Sequence, residues 1–149
     1  MIRVNVEVNS KPWLKKIKNP KKYFNQRLKK ISKIVNFCKN KNITFTILLT
    51  NSLNIKKLNK KFRKQNKSTD VLSFPSFSLK SLKSIKKKNF YIGDIATSYE
   101  VIYLRSKKNF FLEEFDKVWV HGLLHLIGYN HIKNKDYSKM SKIEKRIIN

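Results

Sequence analysis

The sequence is poor in cysteine, glycine and proline, and the shortage of cysteine excludes several classes of protein. The 149 residues hold one cysteine, three glycines and three prolines. A single thiol, at Cys38, cannot form an intrachain disulfide, a thiolate zinc site or a CxxC redox pair. We therefore expect a protein of a reducing compartment and predict a cytoplasmic location.

Long apolar runs are also missing. The longest, from Val118 to Tyr129, contains two histidines, and it is shorter than the roughly 18 residues that a membrane span requires. The N-terminal residues Met1 to Glu7 lack the apolar segment of a signal peptide. We expect a soluble protein with no membrane partner.

Acidic residues are scarce. The chain has nine Asp and Glu residues and 35 Lys and Arg residues, which gives a formal net charge of +26. Such an excess indicates a polyanionic partner, either nucleic acid or an anionic membrane surface. Codon drift toward AT-rich triplets is an equally good explanation for much of it, because 30 of the basic residues are lysines. The excess lies mainly in residues 1–90, which hold 25 basic and two acidic residues.

Hydrophobic periodicity predicts four strands and about five helices. Alternating or β-branched runs predict strands over 2–8, 43–49, 71–74 and 91–98. Spacings of three and four predict helices over 24–38, 52–62, 99–105, 112–127 and from 136 onward. The Ser- and Lys-rich stretch 76–90 is predicted to be a mobile basic loop. These elements indicate a small α+β or α/β domain without an internal repeat or linker.

The same spacings predict which side chains face the core. The predicted inward residues, in chain order, are Phe24, Leu28, Ile31, Val35, Cys38, Leu58, Phe62, Phe115, Trp119, Leu123, Ile127, Tyr137, Met140, Ile143 and Ile147. Cys38 is accordingly interpreted as a core residue rather than a reactive thiol.

All three histidines lie within eleven residues, at positions 121, 125 and 131. His121 and His125 are four residues apart and share one helix face, and Gly128 ends the helix so that His131 can fold back. Three imidazoles leave a coordination position open for water, as in a catalytic zinc site. The alternative is three histidines at a helix end that are satisfied by ordinary hydrogen bonds. We favour a site for one divalent ion, Zn²⁺ first among several that imidazoles accept.

The histidine spacing is shared with the metzincin proteases, but the proton acceptor of those enzymes is missing. Their general-base glutamate directly follows the first histidine, where this chain has Gly122. A metallopeptidase is therefore the weakest of the hypotheses.

Three motifs lie along the chain. These are LNKKFR at 58–63 with STDVLSFP at 68–75, IGDI at 92–95, and HGLLHLIGYNH from His121 to His131. Together they resemble the YbeY family of bacterial endoribonucleases, also called rRNA maturation factors. The histidine motif closely resembles the family signature HGxLHLxGYDH, and the other two resemble its second and third signatures. The resemblance covers essentially the whole chain. Asn130 stands where the family usually has Asp, and Phe62 where it commonly has Tyr.

The resemblance implies one domain over residues 1–149, of the α+β class, with a four-stranded mixed sheet packed against about five helices. It implies a metal-dependent endoribonuclease that prefers single strands and acts in rRNA maturation and ribosome quality control. His121, His125 and His131 would hold the metal, whose hydroxide would hydrolyse the phosphodiester, and Arg63 would be catalytic. The partners would be an rRNA precursor and the small ribosomal subunit, with no small-molecule cofactor.

Residue type alone leaves several roles open. Arg63 suits phosphate binding through its planar fork, yet a surface cation is equally consistent with its residue type. Asp70 and Asp94 are interpreted as structural rather than catalytic, and Ser73 is undecided. The lysines at 56–67 and 80–88 are candidates for an RNA track, and Phe74, Phe77 and Tyr91 fit a core or loop as well as a stacking role. The competing function is a non-catalytic ribosome-assembly protein that binds RNA and holds a structural metal.

Overall fold

The computed structural model describes residues 1–107 and 110–149, and these residues form four strands and seven α-helices. In chain order they are β1 (Ile2–Val8), α1 (Pro12–Lys16), α2 (Pro20–Ile34), β2 (Asn42–Thr50), α3 (Ser52–Arg63), β3 (Val71–Pro75), α4 (Leu79–Ser84), β4 (Asn89–Ser98), α5 (Tyr99–Arg105), α6 (Phe111–Leu126) and α7 (Asn134–Ile148). A short 3₁₀ turn, Asn36–Cys38, joins α2 to β2.

The sheet has the strand order β1-β2-β4-β3. β1, β2 and β4 are parallel, and β3 pairs antiparallel with β4 at one edge. This four-stranded mixed sheet with flanking helices confirms the predicted α+β class. The helices beyond the expected five are the short α1 and α4.

The main core lies on the sheet face that α2 and α6 cover, and α7 packs against both helices. Aromatic rings fill much of it, with Trp13, Phe24, Phe115 and Trp119 fully buried. A smaller cluster of Ile55, Leu72 and Ala96 lies between α3 and the edge of the sheet formed by β3 and β4.

Helix α4 corrects the prediction of a mobile loop over 76–90. The Ser78 side chain accepts a hydrogen bond from the Ser81 backbone N–H and so caps the helix. Leu82 is buried, which anchors the short helix to the body of the domain. Composition did not predict this helix, because the helix depends on the Ser78 cap and on the single buried residue Leu82.

Four of the predicted inward residues differ from the prediction, two in their element and two in their burial. Val35 and Cys38 are buried as expected, but α2 ends at Ile34 and they lie in the following turn. Phe62 is 58% exposed, because it lies in the last turn of α3 and contacts the ring of Phe74 rather than the core. Tyr137 is 63% exposed, because it lies in the first turn of α7, before the helix reaches the core at Met140.

Among the residues described, no helix is both long enough and apolar enough to cross a bilayer.

Candidate metal centre

Helix α6 carries two of the three histidines on one face near its C-terminal end. The His121 and His125 ring centroids are 4.6 Å apart, and their Nε2 atoms are separated by 3.0 Å. Glu113 and Glu114 occupy the first turn of the helix, where acidic side chains stabilise the helix by interacting with the positive end of its dipole. The i, i+4 spacing therefore produces the pair of imidazoles that the sequence predicted.

The turn after α6 brings back the third histidine. Gly128 adopts φ +99°, its N–H bonds to the His125 carbonyl, and the Tyr129 N–H bonds to the Leu124 carbonyl. This pair of bonds is a Schellman motif, which requires the left-handed backbone conformation that glycine adopts without strain. The chain reverses there, and the His131 ring lies 5.1 Å from the His125 ring, centroid to centroid.

The three histidines can each offer one nitrogen, and these nitrogens all lie within 4.8 Å of one another. His121 and His125 are half-buried, whereas His131 is exposed at the mouth of the site. The structure thus brings together all three residues that the sequence predicted as metal ligands.

The Nδ1 partners decide which nitrogens are available to a metal. His125 Nδ1 lies 3.0 Å from the Tyr129 carbonyl oxygen, which can only accept, so Nδ1 carries the proton. His121 Nδ1 lies 2.6 Å from Glu144 Oε1, and an ionised carboxylate likewise accepts. With the protons on Nδ1, the two Nε2 atoms are the nitrogens available to a metal, and they lie 3.0 Å apart. Nitrogens bound tetrahedrally at roughly 2.0–2.1 Å from Zn²⁺ are about 3.3 Å apart, so this donor set fits such an ion.

Burial supports the neutral form of His125. Removal from water, and then repulsion by His121, lower the pKa of His125 below its usual range. At neutral pH the ring is consequently uncharged, which is the form that binds metals.

Arg63 reaches the same cavity from the last turn of α3. Its Nη2 donates a hydrogen bond of 3.1 Å to the Ser73 carbonyl on the edge strand β3. It lines a cavity of about 550 Å³ together with His121, His125 and His131. The one arginine singled out by the sequence therefore shares a cavity with the histidines.

Ser73 and Gly122 join the edge strand to α6. Ser73 Oγ donates a hydrogen bond of 3.1 Å to the Gly122 carbonyl. A Cβ at position 122 would lie 3.0 Å from Ser73 Oγ and 3.1–3.2 Å from the side chains of Val71 and Ile95. Position 122 thus faces the sheet, where a Cβ would be in tight contact, and the glutamate that a metallopeptidase carries there is glycine in this chain.

The two aspartates take structural roles. Asp70 accepts hydrogen bonds from the Val71 backbone N–H and the Thr69 hydroxyl, and it forms a 2.5 Å ion pair with Arg105 rather than with Arg63. Asp94 accepts a hydrogen bond from the Tyr91 hydroxyl. Asn130, at the position of the family aspartate, lines the cavity beside the histidines.

Sequence reasoning missed Glu144. It lies on α7, 23 residues after His121, and meets that histidine only because α7 packs against α6. Its one sequence signal is that residues 137–149 contain no other acidic side chain.

The chain is similar to known proteins over nearly its full length. The family model described as Endoribonuclease YbeY matches residues 7–149. The Endoribonuclease YbeY of Pelagibacter ubique (strain HTCC1062) is 47% identical over 148 residues, covering 97% of this chain and 92% of the relative. The Endoribonuclease YbeY of Buchnera aphidicola subsp. Acyrthosiphon pisum is 39% identical over 149 residues, covering 97% of this chain and 90% of the relative.

One solved structure shows the same fold. The solution structure of TM1509 from Thermotoga maritima matches with a TM-score of 0.55 at 24% identity, covering 99% of this chain and 89% of that one. The sequence matches confirm the resemblance carried by the three motifs. The chain therefore belongs to the endoribonuclease YbeY family, whose members are hydrolases that act on RNA.

Proposed function

We propose that the protein is a metal-dependent endoribonuclease that hydrolyses phosphodiester bonds in single-stranded RNA. The observation that carries this proposal is the cavity that Arg63 shares with three converging histidine nitrogens. A cationic fork and a metal-binding cluster in one cavity are the components that phosphodiester hydrolysis requires.

His121, His125 and His131 would hold one divalent ion, with Zn²⁺ the preferred candidate. A bound divalent ion supplies a water of lowered pKa and polarises a phosphate oxygen. Each histidine contributes a single neutral nitrogen, so the ligand set leaves a coordination position open.

Arg63 is proposed to bind the phosphate that is attacked. The guanidinium lines the cavity, and its Nη2 donates a hydrogen bond to the Ser73 carbonyl that holds the side chain in place. Its remaining N–H groups are available to two phosphate oxygens, and such a contact strengthens as negative charge grows in the transition state. Lysine at this position would supply the charge without the fork.

Glu144 and the Tyr129 carbonyl are proposed to position the histidines. Each holds a proton on Nδ1 of its histidine and thereby keeps the Nε2 lone pair directed into the site. Partners of this kind fix the ring orientation and raise ligand basicity.

We further propose that the substrate is an rRNA precursor, bound with the small ribosomal subunit in the cytoplasm, so that the enzyme serves rRNA maturation and ribosome quality control. The net charge of +26 supports a polyanionic partner, and the names of the relatives support RNA.

The test compares zinc-loaded, chelator-stripped and Arg63→Ala protein on a single-stranded rRNA fragment. We expect cleavage by the zinc-loaded wild type, none by the chelator-stripped protein, and cleavage about 100- to 1000-fold slower by Arg63→Ala. Arg3→Ala is the matched control, because it removes the same charge from an exposed position of β1, which forms the opposite edge of the sheet from β3. Undiminished cleavage by Arg63→Ala would contradict the role of Arg63. RNA binding without cleavage in every arm would favour the assembly protein, and Asn130→Asp would then be the first change to make.

A further inference from the structure

A large aromatic ring lies exposed beside the arginine that is proposed to bind phosphate. Phe62 is 58% exposed. It meets Phe74 with the ring centroids 5.3 Å apart and the planes inclined at 65°. An edge-to-face contact of this kind occupies at most one face of Phe62. More than half of the surface of Phe62 therefore remains exposed to solvent.

The ring and the guanidinium are held by neighbouring residues of one strand. Two consecutive residues of α3, Phe62 and Arg63, contact two consecutive residues of β3, Phe74 and Ser73 respectively. Ser73 is also bonded to α6 through Gly122. Phe62 is thus held at a defined position next to Arg63 at the edge of the sheet, and of these two residues Arg63 is the one that lines the histidine cavity.

The charge around Phe62 is of one sign. Residues 52–69, which we call the basic α3 segment, contain seven basic residues, all of them exposed, and no acidic residue. These are Lys56, Lys57, Lys60, Lys61, Arg63, Lys64 and Lys67. A positive surface interrupted by an aromatic ring is the arrangement with which proteins bind single strands, since lysines follow the backbone and a base stacks on the ring.

A membrane surface fits the segment less well. The other large exposed apolar residue of α3 is Leu53, nine positions from Phe62, which separates the two by roughly 13 Å along the helix. An interfacial helix buries a continuous apolar face, and α3 directs its apolar residue Ile55 into the protein instead.

We propose that Phe62 is a stacking platform for an unpaired base of the RNA strand whose phosphate is bound by Arg63. The proposal rests on the proposed function and deepens it, because stacking on one open ring selects single strands over duplexes. Lys61 Nζ lies 5.2 Å from the Phe62 ring centroid. An exposed cation–π contact is weaker than stacking of a base, so the lysine is displaced and remains free for a phosphate.

The first experiment uses Phe62→Trp as a fluorescent reporter in metal-free protein, where cleavage does not interfere. The native residues Trp13 and Trp119 are both 0% exposed, so the new indole is the one that can stack. Phe110→Trp is the matched control, since Phe110 is 59% exposed but lies close to Glu113 and Glu114.

We expect a single-stranded RNA of about 12 nucleotides to quench Phe62→Trp strongly and Phe110→Trp little. A duplex of the same sequence and inorganic polyphosphate should quench neither, since neither offers an unpaired base. Equal quenching by polyphosphate, equal quenching of Phe110→Trp, or a response to anionic phosphatidylglycerol vesicles alone would overturn the proposal.

The second experiment measures affinity for the same RNA. Phe62→Leu keeps the apolar bulk without the π-face and should lower affinity by about 5- to 100-fold, whereas Phe62→Tyr should retain it. The slope of log affinity against log salt should not change in Phe62→Leu, because no phosphate contact is lost. Wild-type affinity in Phe62→Leu would overturn the proposal. Absence of cleavage by the zinc-loaded protein would contradict the proposed function and leave these binding results standing.

Discussion

The metal centre and the basic α3 segment meet at the edge strand β3, and they are built in opposite ways. The metal centre consists of His121, His125 and His131, and each of the two helical histidines has a hydrogen-bond partner. Two neighbouring cations also form ion pairs, Arg105 with Asp70 and Lys117 with Glu114. The basic α3 segment has no acidic residue. Hydrogen bonds fix the orientation of the histidines in the metal centre, whereas the basic α3 segment supplies a net positive charge.

This contrast separates two parts of one reaction. A metal site requires ligands held at fixed distances, and hydrogen bonds from outside the ligand shell hold them there. A single strand requires a charged surface along which lysines contact phosphates without fixed geometry. We therefore expect variants of the metal centre to lose metal and rate while RNA affinity persists. Variants of the lysines in the basic α3 segment should instead lose RNA affinity while metal affinity persists.

The largest effect should come from removing a ligand. His125→Ala is expected to lower Zn²⁺ affinity by more than about 100-fold, measured by competition with a chromophoric chelator. RNA affinity should stay within about twofold, because the lysines that contact phosphates are untouched. His131→Ala tests the same point at an exposed position where folding is not at stake. Parallel loss of metal and RNA affinity in both variants would show that the two regions are not separable.

A smaller effect should follow from changing the positioning residue. Glu144→Gln removes the charge that faces His121 Nδ1, and it is expected to weaken Zn²⁺ binding by about 10-fold, with Glu144→Ala weaker still. Glu113→Gln is the matched control, since Glu113 is exposed in the first turn of α6. Equal Zn²⁺ affinity in Glu144→Ala and wild type would mean that His121 is oriented by its packing alone.

The parts that sequence predicted well are those encoded by local spacing. The i, i+4 histidines followed by Gly128 bring the three imidazoles together within eleven residues, because helix periodicity and the glycine turn are local properties. The alternation over Ile2–Val8 likewise predicted a strand without knowledge of its neighbours.

The parts that sequence missed depend on where elements end relative to one another. Phe62 continues the apolar spacing of α3, but periodicity does not reveal that its side chain lies outside the smaller cluster of Ile55, Leu72 and Ala96. Glu144 acquires its role only when α7 packs against α6. In both cases tertiary packing decides what the side chain contacts, and local spacing does not encode it.

The smallest expected effect is at Cys38, which serves as a control for both regions. Burial raises the pKa of the Cys38 thiol to about 12. At pH 8 only about one thiol in 10⁴ is then ionised, and thiolate is the reactive form. Iodoacetamide should therefore label native protein only as it unfolds, and urea should speed the labelling greatly. Variants at Phe62, Arg63 or Glu144 should stay as unreactive as wild type, since none contributes to the core around Cys38. Rapid labelling of any of them would mean that its loss of binding reflects an opened core rather than a missing contact.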